Sequence, residues 1–308
     1  MLVHGVAWNG AASDGGTPVL RVEPEPGTFL EQEVGAGTFL GLKVQDGLWC
    51  LGHTKVQGPG QRTHVTCPAR ATAERGRQCG ACFARDDSRL MHDFHRGGAV
   101  PKGLRAYLMQ PHWLYVATFA GGATKIGTAS AHRKWNRLAE QGAVQASYVA
   151  HADDGRVVRV LEDLVTRELG LVQQVRGASK AAALLEPRTG VELAAHNQSH
   201  AAKVRALLEG VALDGFEVVE EPWERPALAE DLCASGPEEL PAFRHLYPAG
   251  FDGGTHGLEL HALCGSTALA TLPGSEGAFV ADLGSLKGRR VEFGDYRTDV
   301  PALQDALF

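Results

Sequence analysis

"HWLYVATFAGGATKIGTASAHRKWNRLAEQGAVQASYVA", residues 112–150, decides how this chain is read. Its opening run is apolar and aromatic, breaks at Gly121-Gly122, and resumes as "ATKIGTA", which predicts a β-hairpin. A helix is expected from Ala131 to Gln141, and "AVQASYVAHA" predicts a further strand. Beyond it, "GRVVRVLEDLVTREL" places Val158, Leu161, Val165 and Leu169 at helical spacing. "HNQSHAAKVRALLEG" predicts another helix. Residues 111–215 therefore read as one α/β unit, a small antiparallel sheet with helices.

Outward from this unit the texture changes. Residues 1–56 are β-rich, with short alternating runs such as "PVLRVEP" and "FLGLKVQDGLWCLG". Residues 57–110 are irregular and too long for a bare loop unless something braces them. Residues 216–254 are acidic and proline-punctuated, as expected of a linker or a covering segment. Residues 255–308 return to strands, and the two β-rich ends are expected to form one shared β unit. The class is α+β.

The bulk composition fits a soluble globular protein. The 308 residues are enough for two or three units, with 44% apolar and 21% charged residues. No apolar run reaches bilayer-spanning length, so no membrane partner is expected. "MLVHGVAWNG" lacks the pattern of a signal peptide, which points to the cytoplasm.

Charge is unevenly placed. The net charge is −6, yet Phe94 to Ala139 carries seven Lys or Arg (Arg96, Lys102, Arg105, Lys125, Arg133, Lys134, Arg137) and no Asp or Glu. A local cationic face attracts phosphate whatever the total charge. Any one of these side chains taken alone is an ordinary solvated cation.

Cys50, Cys67, Cys79 and Cys82 fall within 33 residues, in a segment spanning residues 45–110. "QCGACF" is a Cys-x-x-Cys knuckle, which turns two sulfurs toward one point. Zn²⁺ takes four soft ligands tetrahedrally and would brace a segment poor in core residues. "CLGH" offers His53 instead, giving Cys50, His53, Cys79 and Cys82 as a rival set. Free thiols, or a redox pair at Cys79 and Cys82, are the remaining alternatives, although the βαβ setting of a redox motif is missing. His92 and His95 in "MHDFH" read as exposed rather than metal-binding, and Cys233 and Cys264 as buried small apolar residues with no partners nearby.

The central unit has a chemical logic of its own. Cleaving a phosphodiester needs a group to deprotonate or orient water, a cation facing the phosphate, and usually a metal held by a carboxylate. Tyr115, then Arg133 or Arg137 (four apart on one helix face), then Glu162 supply these roles in chain order. Each also has an ordinary use: Tyr115 as core, Glu162 in a surface ion pair on a helix that contains Arg159 and Arg167, Arg137 in contacts to Glu140 or the helix end. Trp113 and Trp135 suit core packing better than base stacking.

On these residues the segment resembles the GIY-YIG nuclease domain, with "LYV" for the first half of the signature and "KIG" for the second. Together, the Cys cluster, "QPHWLYVA", "KIGTA" and "RLAEQGAVQA" resemble an uncharacterised bacterial family, domain of unknown function 2797. The resemblance covers roughly residues 45–185, with a weaker echo in "LGSLKGRRVEF". It implies a zinc-binding segment ahead of a GIY-YIG-like fold, with Tyr115, Lys125, Arg133, Arg137 and Glu162 as site residues. Lys125 stands where the second signature Tyr would be, the stretch between "LYV" and "KIG" has eight residues, and Asn197 is the one candidate by position for a late Asn.

Two functions follow as expectations. One is a metal-dependent nuclease cleaving DNA or RNA with Mg²⁺ or Mn²⁺ at Glu162. The other is a non-catalytic, zinc-containing nucleic-acid-binding protein with a degenerate site. No Gly-rich phosphate loop or dinucleotide fingerprint supports a third, small-molecule chemistry.

Overall fold

The computed structural model describes residues 1–10, 15–92, 94–233, 243–275 and 277–298, apart from the side chains of His92, Arg96 and Asp231. Four strands open the chain: β1 (Leu2–Asn9), β2 (Thr17–Glu23), β3 (Leu30–Glu33) and β4 (Phe39–Gln45). In β4 the alternation is direct, with Leu40, Leu42 and Val44 buried and Lys43 and Gln45 exposed. A two-stranded hairpin follows, β5 (His53–Gly58) with β6 (Gln61–Val65), and then two short helices, α1 (Gly80–Arg85) and α2 (Lys102–Leu108). The stretch expected to be irregular thus holds one hairpin strand and two helices.

The central unit runs β7 (His112–Thr118), β8 (Thr124–Ser130), α3 (Lys134–Gln141), β9 (Gln145–Ala152), α4 (Gly155–Leu169), α5 (Gly177–Ala183) and α6 (Gly190–Glu209). Residues 131–133, read as helix, form a 3-10 turn before α3. The last helix starts earlier than its apolar pattern suggested. Thr189 and Glu192 close a capping box at its N-terminus, which offsets the polar start of the element. Asp154 caps α4 by accepting from the amides of Arg156 and Val157.

The acidic stretch does more than connect. It holds β10 (Phe216–Pro222), which pairs with β9, and α7 (Ala227–Cys233), which buries Ala229 and Leu232. The chain then forms β11 (Arg244–Leu246), β12 (Gly254–Cys264), β13 (Thr267–Thr271), β14 (Ala278–Asp282) and β15 (Arg290–Phe293).

Strands from both ends interleave in one nine-stranded sheet, ordered β11-β14-β13-β12-β4-β15-β1-β2-β3. The central unit forms a four-stranded sheet, β10-β9-β7-β8. Side-chain alternation on β7 then decides everything near the site. Leu114 and Val116 face α4 and α6, packing with Leu161, Val165 and Val204. Tyr115 and Ala117 face the other way, into a core shared with Leu138 of α3 and with Leu40, Leu42 and Leu258 of the large sheet. Each such fully buried Leu contributes about 1.5–3 kcal/mol over an exposed one. The protein is thus mixed α+β, with seven α-helices among the described residues and several sheets. Among the described residues no helix is long and apolar enough to cross a membrane.

Candidate functional site

The four cysteines meet. Cys50 follows β4, Cys67 follows β6, and Cys79 and Cys82 sit at the start of α1. Their sulfurs all lie within 4.8 Å of one another, and all four residues are buried. Around them the backbone is laced, with Cys50 N–H donating to the Ala71 carbonyl (2.8 Å) and Leu51 N–H to that of Arg77 (2.9 Å). Among the described residues the one hydrophobe packed on the cluster is the half-buried Ala71, and the other core of this segment, Val56, Leu104, Tyr107 and Leu108, forms a separate cluster. The Cys82 amide lowers the Cys79 thiol to about 7, while burial raises the thiols of Cys50 and Cys82. Four thiols so crowded and dry suit a soft cation, and the group could hold a metal ion such as zinc. His53 is not in the group. It is the set containing Cys67, not the rival containing His53, that the fold assembles.

The hairpin positions the second cluster. Tyr115 on β7 is fully buried and its hydroxyl accepts from Gln141 Nε2 at 3.0 Å. Burial raises its pKa, and the Arg137 guanidinium opposes that shift. Lys125 on β8 lies with its Nζ 5.5 Å from the Tyr115 ring centroid. Burial lowers the Lys125 amine to about 8, Arg137 pushes the same way, and Glu162 opposes both. Glu162 on α4 is 3% exposed and accepts from Arg159 at 2.5 Å. The ion pair expected of Glu162 at the surface is therefore made to Arg159 (i,i+3), with the carboxylate buried. The Glu162 charge acts on both Tyr115 and Lys125. Tyr115, Lys125, Arg137, Arg159 and Glu162 therefore form one electrostatic group.

An open cleft of about 290 Å³ adjoins this group and shares Arg137 and Arg159 with it. Arg62 of β6 and Arg133 complete a set of four guanidinium groups, with His112 and Ser130 beside them and no carboxylate in the lining. Arg133 is tied to Glu140, and Arg159 to Glu162. Among the described residues, neither Arg62 nor Arg137 pairs with a carboxylate. Arg62 sits 5.7 Å from the Tyr107 ring centroid, which keeps it extended over the cleft.

Of the five residues expected at the site, Arg133 and Arg137 line the cleft, while Tyr115, Lys125 and Glu162 lie buried and outside its lining. Arg62 and Arg159 were not expected to line it. Arg62 comes from "GPGQRTHVTC", where nothing local marks it, because only the packing of the β5–β6 hairpin brings it across. Asn197 sits on α6, on the opposite face of the sheet from Tyr115. It donates to the Val116 carbonyl (3.2 Å) and Thr118 Oγ1 (3.1 Å), and accepts from Ser147 Oγ (2.8 Å). Trp113 and Trp135 pack on the shared core, as expected. His95 is half-buried, not exposed, and its Nε2 lies 3.0 Å from Asp163. The side chain of His92 lies outside the described residues. Cys233 and Cys264, distant in sequence, meet with sulfurs 3.8 Å apart.

Residues 67–206 match a family described as a protein of unknown function, DUF2797. The DUF2797 match takes in three of the clustered cysteines, the β7–β8 hairpin, and the helices that carry Arg137, Glu162 and Asn197. Cys50 and Arg62 lie before it. No curated protein and no solved structure matches the chain.

Proposed function

We propose that the protein binds nucleic acid through its arginine-lined cleft, on a GIY-YIG-like unit that holds phosphodiesters without cleaving them. The observation that carries this reading is the lining: four arginines, a histidine and two serines, with no carboxylate among the described residues. Guanidinium groups match phosphate oxygens in pairs and keep their charge at every accessible pH. A hydrolytic metal would need an open carboxylate, and Glu162 is buried beneath Arg159. Zinc at the four cysteines would brace the segment that precedes the cleft, holding in place the hairpin that delivers Arg62.

The nuclease reading keeps one specific support. Tyr115, Lys125, Arg137 and Glu162 follow the chain order of a GIY-YIG site, with Lys125 in place of the second signature Tyr, and their charges interact. Labelled single- and double-stranded DNA and RNA separate the two. Binding should be salt-sensitive, no substrate should be cut with Mg²⁺ or Mn²⁺, and Glu162→Gln should still bind. Metal-dependent cleavage that disappears in Glu162→Gln would establish the nuclease instead.

A further inference from the structure

A second cationic pocket is built partly from residues next to the clustered cysteines. It has a volume of about 290 Å³, and His4, His53, His64, Arg77, Gln78 and Lys287 line it, with no carboxylate. It sits where β1, the β5–β6 hairpin, the backbone beside the cysteines, and the turn before β15 converge. The aliphatic stem of Lys287 lies against Gly5, which leaves its amine at the rim. His4 is fixed from behind, its Nε2 2.9 Å from Glu23. The His64 ring stands edge-on to His4, with centroids 4.9 Å apart.

Two ring nitrogens in this pocket are buried without a partner in the protein: Nδ1 of His53 and Nε2 of His64. His53 is only 5% exposed. Leaving a buried polar atom unpaired costs about 1–3 kcal/mol, so a pair of them in one cavity marks a place where a ligand completes the bonding. The chemistry of that ligand can be read from the donors. The Leu51 backbone favours a proton on the His64 ring. In the neutral tautomer that carries it on Nδ1, the buried Nε2 presents a lone pair, which wants a proton donor. Arg77 and Lys287 want an oxyanion. A carboxylate satisfies only the cations. A phosphate that retains a P–OH satisfies both.

We propose that this pocket is a phosphate site, separate from the arginine-lined cleft, that takes a phosphate group carrying one P–OH. Its oxyanion edge meets Arg77 and Lys287, and its hydroxyl donates to a histidine ring nitrogen. The cysteine cluster holds the pocket's floor, since Leu51, Gly52, Arg77 and Gln78 flank Cys50 and Cys79 in the chain. The site does not depend on what the cleft binds.

The test is calorimetric titration of the full chain at pH 6.5 with inorganic phosphate, adenosine monophosphate and sulfate. Phosphate should bind saturably, and its addition should shift the imidazole resonances of His53 and His64. Sulfate, which has no hydroxyl to donate, should bind at least about tenfold more weakly. His64→Gln and Lys287→Met should each weaken phosphate binding about tenfold. Lys287 is at the rim, so its variant keeps the test valid should His64→Gln fail to fold. Comparison of the two phosphates distinguishes the free ion from a terminal phosphate on a nucleotide. Absence of saturable binding by either, equal affinity for sulfate, or full affinity in Lys287→Met would overturn the proposal.

Discussion

Tyr115 on β7 stands directly opposite Gly127 on β8, and its ring fills the room that a side chain at 127 would need. A Cβ on Gly127 would lie 2.6 Å from both Cζ and the hydroxyl oxygen of Tyr115. The glycine of "KIG" is thus explained by packing, since it lets the phenol lie flat across the partner strand and reach Gln141. Gly127→Ala should destabilise the protein by about 1–3 kcal/mol, the usual cost of overpacking. Urea denaturation would read this. Unchanged stability would mean that the ring has another place to go.

Lys125 makes a pH-dependent prediction. Its pKa is about 8 in the folded protein, below the unfolded value, chiefly because burial penalises the ammonium. Between those two values the unfolded chain binds more protons, so this group's contribution to stability rises with pH and is least favourable below 8. Replacing it with Met should therefore stabilise the protein at pH 7, by at most on the order of 3 kcal/mol. The gain should shrink as pH approaches 10. A thermal-melt series from pH 6 to 10 would show it, and a variant less stable at pH 7 would contradict it.

What could be read from sequence was local. The β7–β8 hairpin, the α4 stripe of Val158, Leu161 and Val165, and the Cys-x-x-Cys knuckle each carry their signal within one short continuous run of chain. The nine-stranded sheet does not, because β4 pairs with β12 and β15 across two hundred residues of chain and no local pattern specifies that register. The "FEVVEEP" strand looks like acidic connection in sequence, since an edge strand beside β9 leaves its glutamates in water. Arg62, His53 and His64 gained their places from tertiary packing alone.

The cysteine cluster predicts a metal content. The purified protein should hold one metal ion per chain, and Cys67→Ser should lose it together with much of its stability, because the cluster ties three separate stretches of that segment together. His53→Ala should retain the metal. Elemental analysis of the two variants decides between the four-cysteine set and the set that includes His53.

Asn197 predicts a purely structural effect. Its amide ties the Val116 backbone on β7 to Ser147 on β9, beneath α6 and away from the cleft. Asn197→Ala strips several buried groups of their partner and should cost about 1–3 kcal/mol. Affinity for nucleic acid should not change. A variant of normal stability that no longer binds would restore Asn197 to the site.

The cleft predicts a graded salt dependence. Arg62 and Arg137 have no carboxylate partner among the described residues, so each is free to displace a condensed counterion from nucleic acid. Substituting either by Gln should lower affinity similarly for all sequences and reduce the slope of log K against log salt by roughly 0.7–0.9. Arg133 is already committed to Glu140, so Arg133→Gln should change the slope less. Fluorescence anisotropy at several salt concentrations measures all three. Equal slopes for wild type, Arg62→Gln and Arg137→Gln would place the nucleic acid elsewhere on the surface.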